Sequence, residues 1–226
     1  MINMRKFFNK GTEEEHDFWM SYTDLMAGFL IVFIIASLIV YSNYRSHQEM
    51  TASDLKNMIH EYKTILVSNN EVNVQFDTKR GSIILTHMDS RKDLFQFGAP
   101  QMQPELERFI QAHGKKMIQK TISLWKQHGF SNIEMRIEGH TDPVWSGERG
   151  TDYGYIRNLE LSSDRANSVY TYMLNNLDLT TEEKAFVKKN MISIGYSYSR
   201  RLSNGNINDT SLDPSSRRIE FRIISK

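Results

Sequence analysis

Cysteine is absent from the 226 residues. Disulfides and thiolate metal sites are thereby excluded, although the absence identifies no compartment. An excess of either charge is also missing. Lys and Arg number 28 against 27 Asp and Glu, a formal net charge of +1, so bulk electrostatics gives no reason to expect nucleic acid as a partner. Nor does the chain carry a phosphate-binding glycine loop, or a nucleophile, base and orienter at plausible spacing, so an enzyme is not expected. What is present fits a folded chain, with 39% hydrophobic and 24% charged residues, a balance outside the disordered range.

The average conceals one long apolar run. Leu25 to Tyr44 is 20 residues without a charge. As a helix this run covers about 30 Å, the thickness of a hydrocarbon core. Trp19, Tyr22, Tyr41 and Tyr44 flank it at interfacial positions. It exceeds the usual core of a signal peptide, and no A-x-A-like site follows, so a retained single-pass anchor is expected. Basic residues balance on its two sides: Arg5, Lys6 and Lys10 before, Arg45, Lys56 and Lys63 after. Charge alone therefore leaves orientation open.

Four regions follow from the pattern: a polar tail at 1–17, a transmembrane helix at 18–44, a linker helix within 45–71 and a compact α+β domain at 72–226. In the linker, Leu55, Met58, Ile59, Tyr62, Ile65 and Leu66 form one apolar stripe. Two readings stand for it, a coiled-coil clasp or plug and a helix packed on the following domain. In the domain, Val72–Phe76 and Ser82–Leu85 read as a hairpin across Lys79-Arg80-Gly81. Pro104 opens a helix to about Trp125. A strand over Ile133–Ile137, a helix over Leu161–Leu177 and a strand over Ile219–Ile223 complete a β-α-β-α-β order with helices on one sheet face.

Asp24 stands at the head of the charge-free run. With a helix starting near Phe18 it would lie about 9 Å along the axis. An ionised carboxylate at bilayer depth costs roughly 2.5–3.5 kcal/mol, so the group must be neutral, paired or hydrated. That suits a reversible proton carrier. The bland alternative is a helix N-cap at the membrane surface, assisted by Ser21 and Thr23. The segment Trp19-Met20-Ser21-Tyr22-Thr23-Asp24-Leu25-Met26 resembles the start of the transmembrane helix in the MotB family of motor stators. The resemblance implies that Asp24 binds the translocated ion, and that a ring of a multi-pass MotA-like subunit surrounds a homodimer of these helices. The ion is expected to be H+, with Na+ as the alternative. No other cofactor is implied.

Further motifs lie in the domain. Ile137-Glu138-Gly139-His140-Thr141-Asp142 is followed by Asn158-Leu159-Glu160-Leu161-Ser162-Ser163-Asp164-Arg165, then Gly195-Tyr196 and Arg217-Arg218-Ile219-Glu220. In this order the set resembles the OmpA-like domain shared by OmpA, Pal and MotB proteins, over about residues 72–226. The resemblance implies peptidoglycan binding through Asp142, Asn158, Leu161 and Arg165, and two readings stand for Arg217 and Arg218, contact with the ligand or orientation of the last strand. The chemistry is coherent. Diaminopimelate carries a free ammonium and carboxylate. Asp142 can accept from the ammonium, and Arg165, in the first turns of its helix, can clamp the carboxylate with two parallel donors. Ser162 is expected to cap that helix. His140 has no second ligand at a zinc-like spacing and is expected to be structural, with no metal site. The loop 143–157 is longer than the common family form and brings Trp145 and Tyr155 beside the cleft.

The resemblance orients the chain, with the N-terminus cytoplasmic and the domain periplasmic, on the bacterial inner membrane. It implies a stator subunit anchored to the wall. The start of the helix and the long loop look more like the motor subunit of an anti-phage defence system than a flagellar stator. A passive OmpA- or Pal-like tether remains the rival from another class, and it would need no acid in its anchor.

Overall fold

A computed structural model describes residues 5–46, 52–128, 133–202 and 211–225. The chain separates into two compact units, Met1–Gln48 and Glu49–Lys226. The first is one helix, α1 (Arg5–Ser46). Its stretch Tyr22–Ser42 is long and apolar enough to cross a membrane. The expected polar tail is thus helical from Arg5 onward. Charged residues such as Glu13, Glu14 and Glu15 are good helix formers and extend the apolar helix by propagation, which is cheaper than starting a new one.

The second unit holds a five-stranded sheet in the order β1-β2-β7-β3-β6. Its strands are β1 (Val72–Asp77), β2 (Ser82–His87), β3 (Ile133–His140), β6 (Met191–Gly195) and β7 (Arg218–Ser225). Pairing is antiparallel except between β3 and β6. The connection from β3 to β6 carries a small hairpin, β4 (Val144–Trp145) with β5 (Glu148–Arg149), then α4 (Asp152–Asn176) and α5 (Thr181–Asn190). Parallel neighbours need such a crossover. The expected β-α-β-α-β core is present. The sequence reading left out α5 and β6.

Alternation divides the sheet. Ile133, Met135 and Ile137 of β3 and Ile219, Phe221 and Ile223 of β7 are buried in the apolar core, under α3 (Pro104–His128) and α4. Leu106, Phe109, Ile110, Met117 and Ile118 supply the buried stripe of α3, at the spacing of a helix face. α2 (Ala52–Lys63) belongs to the same core. Met58, Ile59 and Tyr62 are fully buried, and the Tyr62 hydroxyl lies 2.6 Å from that of Thr121 on α3. Of the two readings of the linker stripe, the structure shows packing on the domain.

α4 corrects three expectations. It begins at Asp152, capped by the Thr151 side chain, so the end of the supposed loop 143–157 is helix and its start is a hairpin. Arg165 is therefore deep in the helix, beyond its first turns. Ser162 is buried mid-helix, where its hydroxyl bonds the Leu159 carbonyl and accepts from the Ser197 amide. The cap is Thr151, at the earlier start of the helix. Two glycines permit α4 to lie close on the sheet. A Cβ at Gly139 would come within 2.0 Å of the Ser162 carbonyl oxygen, and one at Gly195 within 2.4 Å of the Ser163 nitrogen.

The opposite sheet face is an ion-pair lattice. Glu138 and Glu220 face each other across β3 and β7, both fully buried. Like charges so placed repel. Arg200 and Arg222 lie 3.2 and 3.7 Å from Glu138, and Arg218 and Arg80 lie 2.7 and 3.6 Å from Glu220.

Candidate functional site

The end of β3, the hairpin and α4 converge on a cavity of about 300 Å3. Asp142, Asn158, Leu161, Arg165 and Arg217 all line it. Five of the six positions named in the domain are therefore brought together. The sixth, Arg218, is not among them. The residue is 2% exposed, and its guanidinium is bound to Glu220 and to the carbonyls of Ser216 and Arg200. Arg217 precedes β7 and lines the cavity, whereas Arg218 opens the strand and is tied to Glu220.

Asp142 leaves β3 through Thr141, whose amide bonds the Ser197 carbonyl. One Asp142 oxygen accepts from the Val144 amide at 3.2 Å, and the other lies 3.8 Å from Nε of Arg217. Burial raises the Asp142 pKa above its usual 3.8, with the Val144 amide and Arg217 opposing. Asn158 Nδ2, Thr141 Oγ1 and Arg217 Nε are buried without a hydrogen-bond partner among the described residues, and all three residues line this cavity. Buried polar atoms are nearly always satisfied. All three atoms are closed off from solvent, so they lie within the walls of the cavity and not on its open face.

Arg165 is more committed than a free ligand clamp. Its Nη1 lies 3.2 Å from Asp93, and its Nε and Nη2 donate to the carbonyls of Ala99 and Gln96. The Phe95 ring stands 4.9 Å from its central carbon. Burial pulls its pKa down while Asp93 pulls it back up, and it remains a cation. The side chain fastens the loop between β2 and α3 and turns part of its positive charge to the cavity. Asp93, Phe97 and Thr141 were not picked out from the sequence. Asp93 and Phe97 lie in a stretch without periodicity, which offered no pattern to find them by.

The cavity thus alternates two acids, Asp93 and Asp142, with two cations, Arg165 and Arg217. One wall is the hairpin, with Trp145 under the Arg157 guanidinium at 5.3 Å. Ser146 and Gly147 make its turn with φ of 45° and 85°, the left-handed pair that closes a two-residue hairpin. The opposite wall includes Phe97, which is 97% exposed. A charge-balanced cavity of this kind fits a zwitterion.

His140 sits apart from the cavity. Together with Glu138 and Glu220 it offers ligand atoms within 4.8 Å of one another, a spacing a metal would accept. The four guanidiniums already neutralise both carboxylates, so the cluster reads as an ion-pair lattice around a neutral imidazole. Burial first, then Arg218, pushes the His140 pKa well below 6.5. The ring stacks on Tyr196 at 5.3 Å.

On α1, Asp24 is the third residue of the span Tyr22–Ser42, about 3 Å along from its first residue. The N-cap reading does not hold, because the helix runs on to Arg5 and Asp24 has helical turns on both sides. The Thr23 hydroxyl donates to the Trp19 carbonyl at 2.7 Å.

No protein-family pattern matches the chain. It is 24% identical over 223 residues to the Zorya protein ZorB of Escherichia coli strain Crooks, covering 94% of this chain and 90% of that one. A Zorya protein ZorB from another Escherichia coli strain is 23% identical, with 95% and 82% covered. Among solved structures, a MotB-like protein from Desulfovibrio vulgaris is 19% identical with a TM-score of 0.44, covering 77% of this chain and 93% of that one. The periplasmic domain of Helicobacter pylori MotB is 14% identical with a TM-score of 0.39, covering 70% and 89%. The chain is therefore similar to Zorya protein ZorB through both its apolar helix and its α+β domain.

Proposed function

We propose that this protein is the wall-anchored stator subunit of an inner-membrane, proton-driven motor of the Zorya anti-phage type. The domain would grip peptidoglycan from the periplasm, with the N-terminus in the cytoplasm. Two copies of α1 would stand inside a ring of a multi-pass MotA- or ZorA-like subunit, and Asp24 would carry the ion. The observation that carries the wall-binding half is the cavity that gathers Asp142, Asn158, Leu161, Arg165 and Arg217, with two acids balanced by two cations. The diaminopimelate ammonium meets Asp142, and its carboxylate meets Arg217 and the free side of Arg165. The motor half rests on similarity to ZorB that extends over the helix as well as the domain, and on an acid in an otherwise apolar span. A passive tether explains the domain and leaves Asp24 without a purpose.

Two measurements test this. Full-length protein purified in mild detergent should co-sediment with purified sacculi, and Asp142→Asn should abolish that. A tagged chain should co-purify a multi-pass membrane protein encoded beside it. Wall binding without any such partner would leave a tether and refute the motor.

A further inference from the structure

A second concavity, about 370 Å3 in volume, adjoins the first. Asp93, Phe97 and Arg217 line both, so the two share these residues as a common border. The far side of the second carries two cations. Arg91 and Lys92 line it, both exposed, and Arg217 closes it toward the first cavity. Arg91 is held in place by Asp89, with two contacts of 3.0 Å. Of the lining acids, Asp93 is turned to Arg165. Glu105 sits in the first turn of α3, a helix of 25 residues, whose positive end opposes its charge. Phe97 stands between the concavities almost fully exposed, on a turn closed by the Ala99 amide and the Gln96 carbonyl. An aromatic displayed on a fastened turn, with a charged hollow on each side, is a saddle for a ligand that continues past one residue.

We propose that this second concavity is a subsite for a carboxylate borne on the residue next to the zwitterion, so that the domain reads a two-residue segment of wall peptide. The inference rests on the proposed peptidoglycan reading and extends it. In a γ-linked glutamyl-diaminopimelyl segment the glutamyl α-carboxylate is free. With the diamino acid in the first cavity and the chain crossing Phe97, that carboxylate meets Lys92 and Arg91. Where the wall carries a carboxamide at this position, the attraction is lost.

The test is equilibrium binding to the full-length protein in detergent with three soluble probes. These are free diaminopimelate, the tripeptide L-Ala-γ-D-Glu-diaminopimelate, and the same tripeptide with its glutamyl α-carboxylate converted to the carboxamide. The acid tripeptide should bind about fivefold more tightly than the amide, the scale of one exposed ion pair. Arg91→Ala combined with Lys92→Ala should erase that ratio while leaving diaminopimelate affinity unchanged. Both side chains are exposed, so folding is not at stake. Equal affinity for acid and amide, with diaminopimelate still bound, overturns the inference alone. A ratio that survives the double substitution does the same. Failure of diaminopimelate itself to bind overturns the zwitterion reading, and the second subsite falls with it.

Discussion

Replacing Arg165 by Met removes a guanidinium that is 4% exposed and holds Asp93, two carbonyls and the face of Phe95. Breaking a buried pair costs about 3–5 kcal/mol, because the partner charge stays behind unpaired. Asp93 retains some solvent access, so the lower end applies, about 3 kcal/mol. At roughly 2–4 °C per kcal/mol for a domain of this size, the melting temperature should fall by about 10 °C. Adding Asp93→Asn removes the stranded charge and should restore much of the loss, since coupled sites are not additive. Wall binding should not return, because the cation is still missing. The assay is a thermal melt of the full-length protein in detergent, run beside sacculus co-sedimentation. If Arg165→Met costs under about 1 kcal/mol, the pair is not the fastener described, since that is the range of exposed pairs. If the double variant binds wall as the parent does, Arg165 serves the fold alone.

Asp142 should make wall binding pH-dependent. Its folded pKa lies above 3.8, and the ammonium needs the charged form, so affinity should fall through that raised pKa as pH drops. An acid with a raised pKa also costs stability once pH exceeds its unfolded value. Asp142→Asn should therefore bind poorly yet melt higher at neutral pH. His140 is a base with a lowered pKa, so the stability of its neutral state is lost as pH falls below about 6.5, where the unfolded chain takes up a proton. His140→Gln should flatten the fall of melting temperature between those conditions and more acidic buffer. Gly139→Ala drives a methyl into the Ser162 carbonyl and should cost about 3 kcal/mol, read by denaturant titration. Asp24→Asn should leave assembly and wall binding intact while abolishing proton flux in vesicles holding the complex; undiminished flux would end the ion-carrier assignment.

The strands and long helices were legible because each repeats an apolar residue at its own period. Ile133, Met135 and Ile137 alternate, and Leu106, Phe109 and Ile110 return at helical steps. α5 escaped because its face is short: Phe186 and Val187 among charges give little periodicity. β6 escaped because it is an edge strand with a mixed burial pattern. Within the site, Asp142, Asn158, Leu161 and Arg165 were readable from motif order. Asp93 and Phe97 were not, since they reach the cavity through a loop whose path is set by Arg165, far away in sequence. Arg217 and Arg218 were indistinguishable in the sequence, and their different partners separate them: Arg217 lines the cavity, while Arg218 is bound to Glu220.

The charged sheet face responds unequally to loss. Each central carboxylate has a spare guanidinium: Glu138 keeps Arg222 if Arg200 is lost, and Glu220 keeps Arg218 if Arg80 is lost. No carboxylate has an understudy. Removing Glu220 would leave Arg218 with only the Ser216 and Arg200 carbonyls as hydrogen-bond partners among the described residues, and its side chain has no exposed surface through which water could take over. Substitutions should thus accumulate quietly among the outer arginines while the two glutamates stay fixed. Variation in natural relatives would then trace the lattice's periphery and leave its centre unmarked.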